Sequence, residues 1–183
     1  MAADGVEALG LGRREVRLVP HDPRWAVAYR HEAERLLQAL GAHALEIVHI
    51  GSTAVPGLPA KPLLDIMVAI ASLEERRAVI PRLERIGYEF RPRDTLPQRL
   101  FFIAGEPEAR RVNLSLAALD SAFWRDHLAF RDILRARPEV AAAYARLKAD
   151  LAERYPDDRL AYTAAKGAFV ASVLAADDQV DRH

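Results

Sequence analysis

The sequence predicts an α/β (α+β) fold, in which a mixed β-sheet is flanked by helices and followed by a C-terminal helical bundle. Up to residue 120, short segments rich in β-branched and other apolar residues alternate with segments of helical periodicity. From residue 121 onward only helical periodicity remains. The 183 residues, 51% of them hydrophobic, supply enough material for one domain with a full core.

The first predicted elements are a strand and a helix. Residues 15–20 (EVRLVP) form a short predicted strand that ends at Pro20. The helix that follows has Asp22 as its N-cap, Pro23 as its first residue and Gly41 as its stop. Its apolar residues recur at helical spacing, which predicts one buried face.

Two strands and a second helix come next along the chain. Residues 44–50 (ALEIVHI) and 62–70 (PLLDIMVAI) have the apolar and β-branched composition of strands. The helix after them begins at Ser72, contains Pro81 and ends at Gly87. A proline inside a helix predicts a kink at that point.

The rest of the chain contains three strands and then three helices. Proline, glycine and charged residues separate the strands, and Pro138 and Pro156 divide the helical region. The predicted strands are 88–92 (YEFRP), 98–104 (QRLFFIA) and 111–119 (RVNLSLAAL), and the predicted helices are 121–137, 138–155 and 157–176.

These elements predict one folded unit between two tails. Residues 15–120 would form the α/β core, and residues 121–175 would form helices packed on that core. Residues 1–14 and 176–183 lack a strong apolar pattern, so we expect both to be flexible.

The composition excludes several classes of function. The 26 basic and 26 acidic side chains cancel, so no overall field attracts nucleic acid or a membrane surface, and a nucleic-acid partner is not expected. The absence of cysteine excludes disulfides, thiolate metal sites and a cysteine nucleophile, and it suits a reducing compartment. No segment has the pattern of a signal peptide or a membrane span. We therefore expect a cytoplasmic protein.

The stretch HIGSTAVPGLPAKPLLDIMVAI, which runs from His49 to Ile70, joins two predicted strands through a glycine loop. It is not a P-loop, because Leu58 stands where that motif requires lysine, and no dinucleotide-binding GxGxxG occurs in the chain. Gly51 permits a sharp turn, in which the amides of neighbouring residues can converge on an anion. A simple tight turn, with Ser52 bonded to its own backbone, is the structural alternative.

The second of these strands carries an isolated carboxylate, Asp65, among apolar residues. Strand alternation puts Asp65 and Met67 on the same face. A buried acid needs a compensating partner, which could be Lys61, His49, an arginine from elsewhere or a bound cation.

A polar face is also predicted on the strand at 111–119. Alternation puts Asn113 and Ser115 together on one face of this strand, opposite its apolar residues. We expect Asp65 and the Gly51-Ser52 turn to lie on the rim of a cleft, with Asn113 and Ser115 facing them across it.

These residues resemble a known family. The segment HIGSTAVPGLPAKPLLDI is similar to the signature of the GrpB family, whose fold belongs to the nucleotidyltransferase superfamily. The resemblance extends from VRLVPHDPRW through LAFRDILRARPEVAAAYARLK to DDRLAYTAAKGAF. It implies a nucleotidyltransferase-like sheet, a phosphate-binding loop at Gly51, Ser52 and Thr53, and Asp65 as the catalytic carboxylate and Mg²⁺ ligand. Relatives fused to dephospho-CoA kinase imply a connection with coenzyme A metabolism.

The chain also departs from the pattern that the resemblance implies. Active members of the superfamily place a second carboxylate two residues after the first, but this chain has Met67, whose thioether does not ligate Mg²⁺. GrpB proteins tend to carry His-Leu-His on a later strand, where this chain has Asn113 and Ser115 at the two histidine positions. Asp65 alone predicts weak Mg²⁺ binding that depends on the nucleotide.

The remaining candidate ligand-binding residues each have a structural alternative. His49 could contact a phosphate or be a hydrogen-bonded core residue, and Lys61 could bind phosphate oxygens or neutralise Asp65. Tyr162 and Lys166 lie four residues apart on one helix face, so Lys166 could point into the cleft or extend along the surface. Arg131 and Arg159 are further possible phosphate contacts, and Trp25, Trp124 and Tyr144 are predicted to be core.

Two hypotheses about function follow. The first is a Mg²⁺-dependent nucleotidyl or phosphoryl transferase that uses Asp65. The second is a non-catalytic module that binds a nucleotide or another phosphorylated small molecule in the same cleft. The missing second acid favours the binding module, and the retained loop and Asp65 favour a phosphorylated ligand.

Overall fold

A computed structural model describes residues 9–12, 15–106 and 108–180, which form a mixed five-stranded sheet with helices on both faces. The strand order is β1-β2-β5-β4-β3, with β2 and β5 parallel and all other neighbours antiparallel. The strands are β1 (Glu46–Ile50), β2 (Leu64–Ile70), β3 (Glu89–Phe90), β4 (Arg99–Glu106) and β5 (Ala109–Ala118).

Five α-helices accompany the sheet in the described residues, and three of them begin beside a capping signal of the sequence, the first at Arg24 and not at the predicted Pro23. Asp22 accepts a hydrogen bond from the amide of Arg24, and Ser121 accepts one from the amide of Trp124. Ser72 and Glu75 form a capping box in the turn that leads into the second helix. The helices are α1 (Arg24–Leu40), α2 (Arg76–Glu84), α3 (Ala122–Ala136), α4 (Pro138–Arg154) and α5 (Arg159–Val180).

The main hydrophobic core lies between the sheet and the helices α1 and α2. Alternate residues of β2, such as Ile66 and Val68, point into this core together with Trp25 of α1 and Leu83 of α2. The other face of β2 therefore carries Asp65 and Met67, as its alternation predicts.

The C-terminal helices pack on that other face and on the loop between β1 and β2. Trp124 of α3 packs against Met67, and Leu134 of α3 packs with Tyr144 of α4 against Val55 of the loop. The helices thus leave part of the sheet uncovered, beside the end of β1.

Most predicted boundaries differ from the structure by a few residues, and the differences matter most at three places. Residues 15–20 do not form a strand, because only Val19 makes an isolated bridge, to Ala60. The strand predicted at 88–92 is reduced to Glu89–Phe90. Helix α5 continues to Val180, past the predicted start of the C-terminal tail, and an ion pair between Arg137 and Asp177 ties this end to the start of α4.

The predicted N-terminal tail is described only in part. Leu11 is 1% exposed and bridges Arg110 of β5, so residues 9–12 pack along the sheet. Residues 1–8, 13–14 and 181–183 of the two predicted tails lie outside the described residues. Within the described part of the chain, no helix has the length and apolar character needed to span a bilayer.

Candidate functional site

A cleft of about 650 Å³ opens on the face of the sheet that carries Asp65. Its floor is formed by β2, β5 and the start of β4, and its walls are the β1–β2 loop and the helices α3, α4 and α5. The predicted site residues that line it are Gly51, Ser52, Thr53, Lys61, Asp65, Asn113, Ser115, Tyr162 and Lys166.

Asp65 lies at the N-terminal end of β2, half-buried beside Asn113 of β5. The Asn113 amide nitrogen donates to Asp65 Oδ1 at 2.7 Å, and the two residues are direct partners in the parallel β2–β5 ladder. Asn113 and Ser115 therefore lie beside Asp65 on the floor of the cleft, and the expectation that they face it from the opposite side is wrong. The strands that carry them are neighbours in the sheet. The alternation of residues along each strand could not show this.

Gly51 allows the loop to approach Asp65 closely. Its φ is +72°, and a Cβ at this position would lie 2.6 Å from Asp65 Oδ2. Any side chain here would have to displace the carboxylate, and L-residues resist the left-handed conformation as well. Glycine at position 51 thus fixes the distance between the loop and Asp65.

The loop is held in place by two arginines of α3. Arg131 donates to the carbonyl oxygen of His49 at 3.1 Å, and Arg135 donates to that of Ala54 at 2.8 and 3.0 Å. These contacts lie on either side of the turn that contains Ser52. Arg131 is thus bonded to the backbone of β1, although it also lines the cleft, and the side chain of Arg159 lies outside the described residues.

His49 is not part of the cleft lining, and its contacts favour the core alternative. Its ring stacks on Tyr29 with a centroid distance of 4.7 Å, and its Nε2 lies 2.9 Å from Thr53 Oγ1. Burial, together with the nearby charges of Arg135 and Arg131, lowers the pKa of His49 to about 3. His49 is therefore a neutral, buried residue that stabilises the loop through its contact with Thr53.

A further residue of the cleft, Lys148 of α4, is not among the residues predicted from the sequence. Its side chain is 2% exposed, and it donates to Ser52 Oγ at 3.0 Å and to the carbonyl oxygen of Pro59. Both partners are uncharged. Burial, and then the charges of Lys166 and Lys61, lower the pKa of Lys148 to about 7. A buried amine that faces a cleft in this way can receive an anionic ligand.

The two other lysines lie close to Lys148. Lys61 Nζ is 5.0 Å from the centroid of the buried Tyr162 ring, and Lys166 Nζ is 4.7 Å from the same centroid. Burial raises the pKa of Tyr162, so this phenol stays neutral and does not offset the lysine charges. Lysine occurs only three times in the sequence, against 23 arginines, and all three lysines line this cleft.

A further cation, Arg99 at the start of β4, lies on the floor of the cleft. Its guanidinium donates to Ser115 Oγ at 2.8 Å and stacks over the Phe101 ring, 4.3 Å from the centroid. Burial lowers the pKa of Arg99, and the nearby charges of Asp65 and Asp94 oppose this effect. Its Nε and the Oδ1 of Asn113 are buried without a hydrogen-bond partner among the described residues.

The residues at the floor of the cleft do not fit a pair of divalent ions. Met67, at the position of a second acid, is fully buried against Trp124, and Asp65 Oδ1 is occupied by Asn113. Among the described side chains, no three histidine, cysteine or carboxylate groups come close enough together to hold a metal. Asp65 could supply a single carboxylate ligand at most.

Comparisons with known proteins find similarity over most of the chain. The GrpB protein family matches residues 15–176. A UPF0157 protein of Pseudomonas aeruginosa is 39% identical over 171 residues, which span 92% of this chain and 70% of that protein. The dephospho-CoA kinase of Mycolicibacterium paratuberculosis is 30% identical over 181 residues, which span 85% of this chain but only 44% of the kinase.

The solved structures that resemble the chain include the following two. The conserved protein GrpB from Enterococcus faecalis has a TM-score of 0.78 and 34% identity, covering 86% of this chain and 94% of that one. The Cid1 poly(U) polymerase with bound MgGTP has a TM-score of 0.50 and 14% identity, covering 74% of this chain and 44% of the polymerase. The second comparison shows similarity of fold alone, and on this basis we describe the sheet as nucleotidyltransferase-like.

Proposed function

Because the chain belongs to the GrpB family, we propose that it binds a nucleotide or another phosphorylated small molecule in its nucleotidyltransferase-like cleft. The observation that carries this proposal is the convergence of all three lysines of the chain on one cleft. The chain as a whole is neutral, so this local excess of positive charge has no counterpart in the overall composition.

The geometry supports a ligand that carries phosphate groups. Lys148 and Ser52 form one hydrogen-bonded pair beside the loop, and Lys61 and Lys166 lie on the same side of the cleft, around Tyr162. The acidic side chains that line the cleft are Asp65 and Asp126. Phosphate oxygens would offset the mutual repulsion of the lysines and accept their hydrogen bonds.

The other walls of the cleft suit a less polar part of the same ligand. Phe130 and Leu134 of α3 and Val170 and Leu174 of α5 also line the cleft. A cleft lined by both cations and apolar side chains is typical of sites for phosphorylated metabolites. Nucleotides are the first class to test, and coenzyme A and dephospho-CoA are included because of the relationship to a dephospho-CoA kinase. A cytoplasmic location is part of the same proposal.

A second candidate function is Mg²⁺-dependent nucleotidyl or phosphoryl transfer, with Asp65 as catalytic residue and metal ligand. Its support is the close approach of the Gly51 loop to Asp65. One carboxylate can hold one Mg²⁺ when phosphate oxygens and waters complete the octahedron. The residues present do not fit two ions, so this candidate is restricted to a single ion held by Asp65.

The proposal is tested by ligand-induced stabilisation of the purified chain. Thermal melts with ATP, ADP, pyrophosphate, coenzyme A and dephospho-CoA should show a rise in Tm, since a ligand at 100 times its Kd stabilises by about 2.7 kcal/mol. Replacing both Lys61 and Lys166 with glutamine should weaken binding at least tenfold, by an order-of-magnitude Coulomb estimate. Arg30→Gln, an exposed change on α1, is the matched control and should leave binding unchanged.

If none of these probes raises Tm, or if the double lysine variant binds as tightly as the parent, the proposed function is wrong. Release of pyrophosphate or phosphate from ATP, dependent on both Mg²⁺ and Asp65, would instead favour the transferase. Both measurements use the same protein preparation, so the two candidates are compared directly.

A further inference from the structure

Arg99 lies on the floor of the cleft and bonds Ser115, the β5 residue that is paired with Met67 of β2. The sheet face that carries the cleft has Arg99 and Phe101 on β4, Asn113 and Ser115 on β5, and Asp65 on β2, with Met67 buried beside them under Trp124. Arg99 reaches from β4 to Ser115 on the neighbouring β5.

The Arg99 guanidinium is fixed in this position by several contacts. Besides the bond to Ser115, it donates to the backbone carbonyl oxygen of Asp94 at 3.4 Å. Phe101 lies against it, and the ring of Phe123 is 5.6 Å away on α3. An arginine held by hydrogen bonds and aromatic contacts loses little further freedom when it meets an anion.

The electrostatic role of Arg99 follows from its neighbours. Asp65 and Arg99 line the same floor of the cleft and attract each other, so the carboxylate opposes the lowering of the Arg99 pKa by burial. A divalent ion at Asp65 would be repelled by this permanent charge, because guanidinium does not lose its proton in proteins.

We propose that Arg99 supplies the positive charge that divalent ions supply where two strand carboxylates hold them, so that this chain binds its phosphorylated ligand without a metal ion. Asn113 and Ser115 belong to the same arrangement. Asn113 holds Asp65 through a neutral amide, and Ser115 accepts from Arg99. Neither side chain offers the imidazole nitrogen that a transition metal would select. The inference rests on the proposed function for the identity of the ligand. The repulsion between Arg99 and a metal ion at Asp65 does not depend on that ligand.

The first experiment measures metal binding by the protein alone, with Mn²⁺ as the probe and water-proton relaxation as the signal. We expect little Mn²⁺ binding by the wild type and by Arg30→Gln, and about tenfold tighter binding by Arg99→Gln, because a repulsive charge is removed from the neighbourhood of Asp65. The gain should disappear when Asp65→Asn is added to Arg99→Gln. Arg99→Lys keeps the charge and should behave as the wild type.

The second experiment measures binding of ADP and pyrophosphate by calorimetry, with Mg²⁺ or with EDTA. The wild-type Kd should change less than twofold between the two conditions, and Arg99→Gln should lose at least tenfold in EDTA, again by the Coulomb estimate. Circular dichroism of each variant checks that it is folded, and Arg99→Met provides a second variant without the charge if Arg99→Gln is not.

The results separate the role of Arg99 from the proposed function. Asp65-dependent Mn²⁺ binding that is equal in the wild type and in Arg99→Gln overturns the inference, as does ligand binding that is lost in EDTA. If no phosphate probe binds under any condition, the proposed function fails, and the Mn²⁺ measurement still decides whether Arg99 excludes metal from Asp65.

Discussion

Replacing Lys148 with methionine is expected to change how the stability of the protein depends on pH. The structure keeps this side chain 2% exposed between Ser52 and Pro59 and lowers its pKa from 10.5 to about 7. In the unfolded chain the amine has its ordinary pKa. Between pH 7 and 10.5 the unfolded state therefore binds more protons than the folded state, and the stability contributed by this group rises with pH.

The size of the effect follows from the two pKa values. A shift of one pKa unit corresponds to about 1.4 kcal/mol, and linkage then gives a rise in the free energy of unfolding of roughly 2 to 3 kcal/mol between pH 7.5 and pH 9.5. Lys148→Met cannot titrate, so it should lack this rise. At pH 7.5 it should also be more stable than the wild type, because no amine has to lose its proton on folding.

Urea unfolding of the wild type and of Lys148→Met, at half-unit steps from pH 7.5 to 9.5, measures the difference directly. Tyr144 and Tyr162 have raised pKa values and titrate above this range. Arg146→Met, on an exposed position of the same helix, is the matched control and should follow the wild type. Parallel curves for Lys148→Met and the wild type would refute the reasoning, because Lys148 would then carry its ordinary charge in the folded state.

Three further predictions concern the loop and the floor of the cleft. Met67→Asp places a carboxylate in the apolar cluster around Trp124, so urea melts should show a loss of about 3 kcal/mol or more from an uncompensated buried charge; unchanged stability would contradict the burial of Met67. Gly51→Ala should lower the free energy of unfolding in urea melts by about 2 to 4 kcal/mol, because of backbone strain and the clash with Asp65. Gly57→Ala, where φ is +77° and the space is open, should lower it by only about 1 to 2 kcal/mol. Equal losses would argue against the close approach of Gly51 to Asp65. His49, whose pKa is lowered to about 3, should show no NMR titration between pH 5 and 8. The stability that it contributes should fall as the pH drops from 6.5 towards 3, because only the unfolded state gains a proton in this range. An NMR titration of His49 with a midpoint near pH 6.5 would contradict its burial.

The elements of the fold follow from local patterns, but their arrangement in the sheet does not. Alternation correctly put Asp65 and Met67 on one face of β2, and it put Asn113 and Ser115 together on β5. Strand order depends on contacts between distant segments, so the sequence could not show that β2 and β5 are neighbours. The predicted strand at residues 15–20 is wrong because its pattern is satisfied by packing along the loop, with one bridge at Val19.

The candidate site also combines residues that local sequence patterns predict with residues that only the folded structure brings together. Lys61 and Lys166 were predicted from the loop and from a helix face, but Lys148 lies on α4 among charged residues that are solvated. The signal that could have found it is the rarity of lysine, which occurs three times among 26 basic residues. Arg99 had no such signal, because it is one of 23 arginines and its role depends on the position of β5.

The cleft also gathers features that each cost stability. Lys148 is a buried amine with uncharged partners, Gly51 adopts a left-handed conformation against Asp65, and Arg99 and Asn113 each bury a polar atom that has no partner among the described residues. Outside the cleft, His21 Nδ1 is likewise buried without a hydrogen-bond partner among the described residues, but the main core around Trp25 is apolar. A fold selected for stability alone would not keep these features, and least of all in one place. A bound anion would supply a charge to Lys148 and Arg99 together, so these costs favour the phosphorylated ligand that we propose.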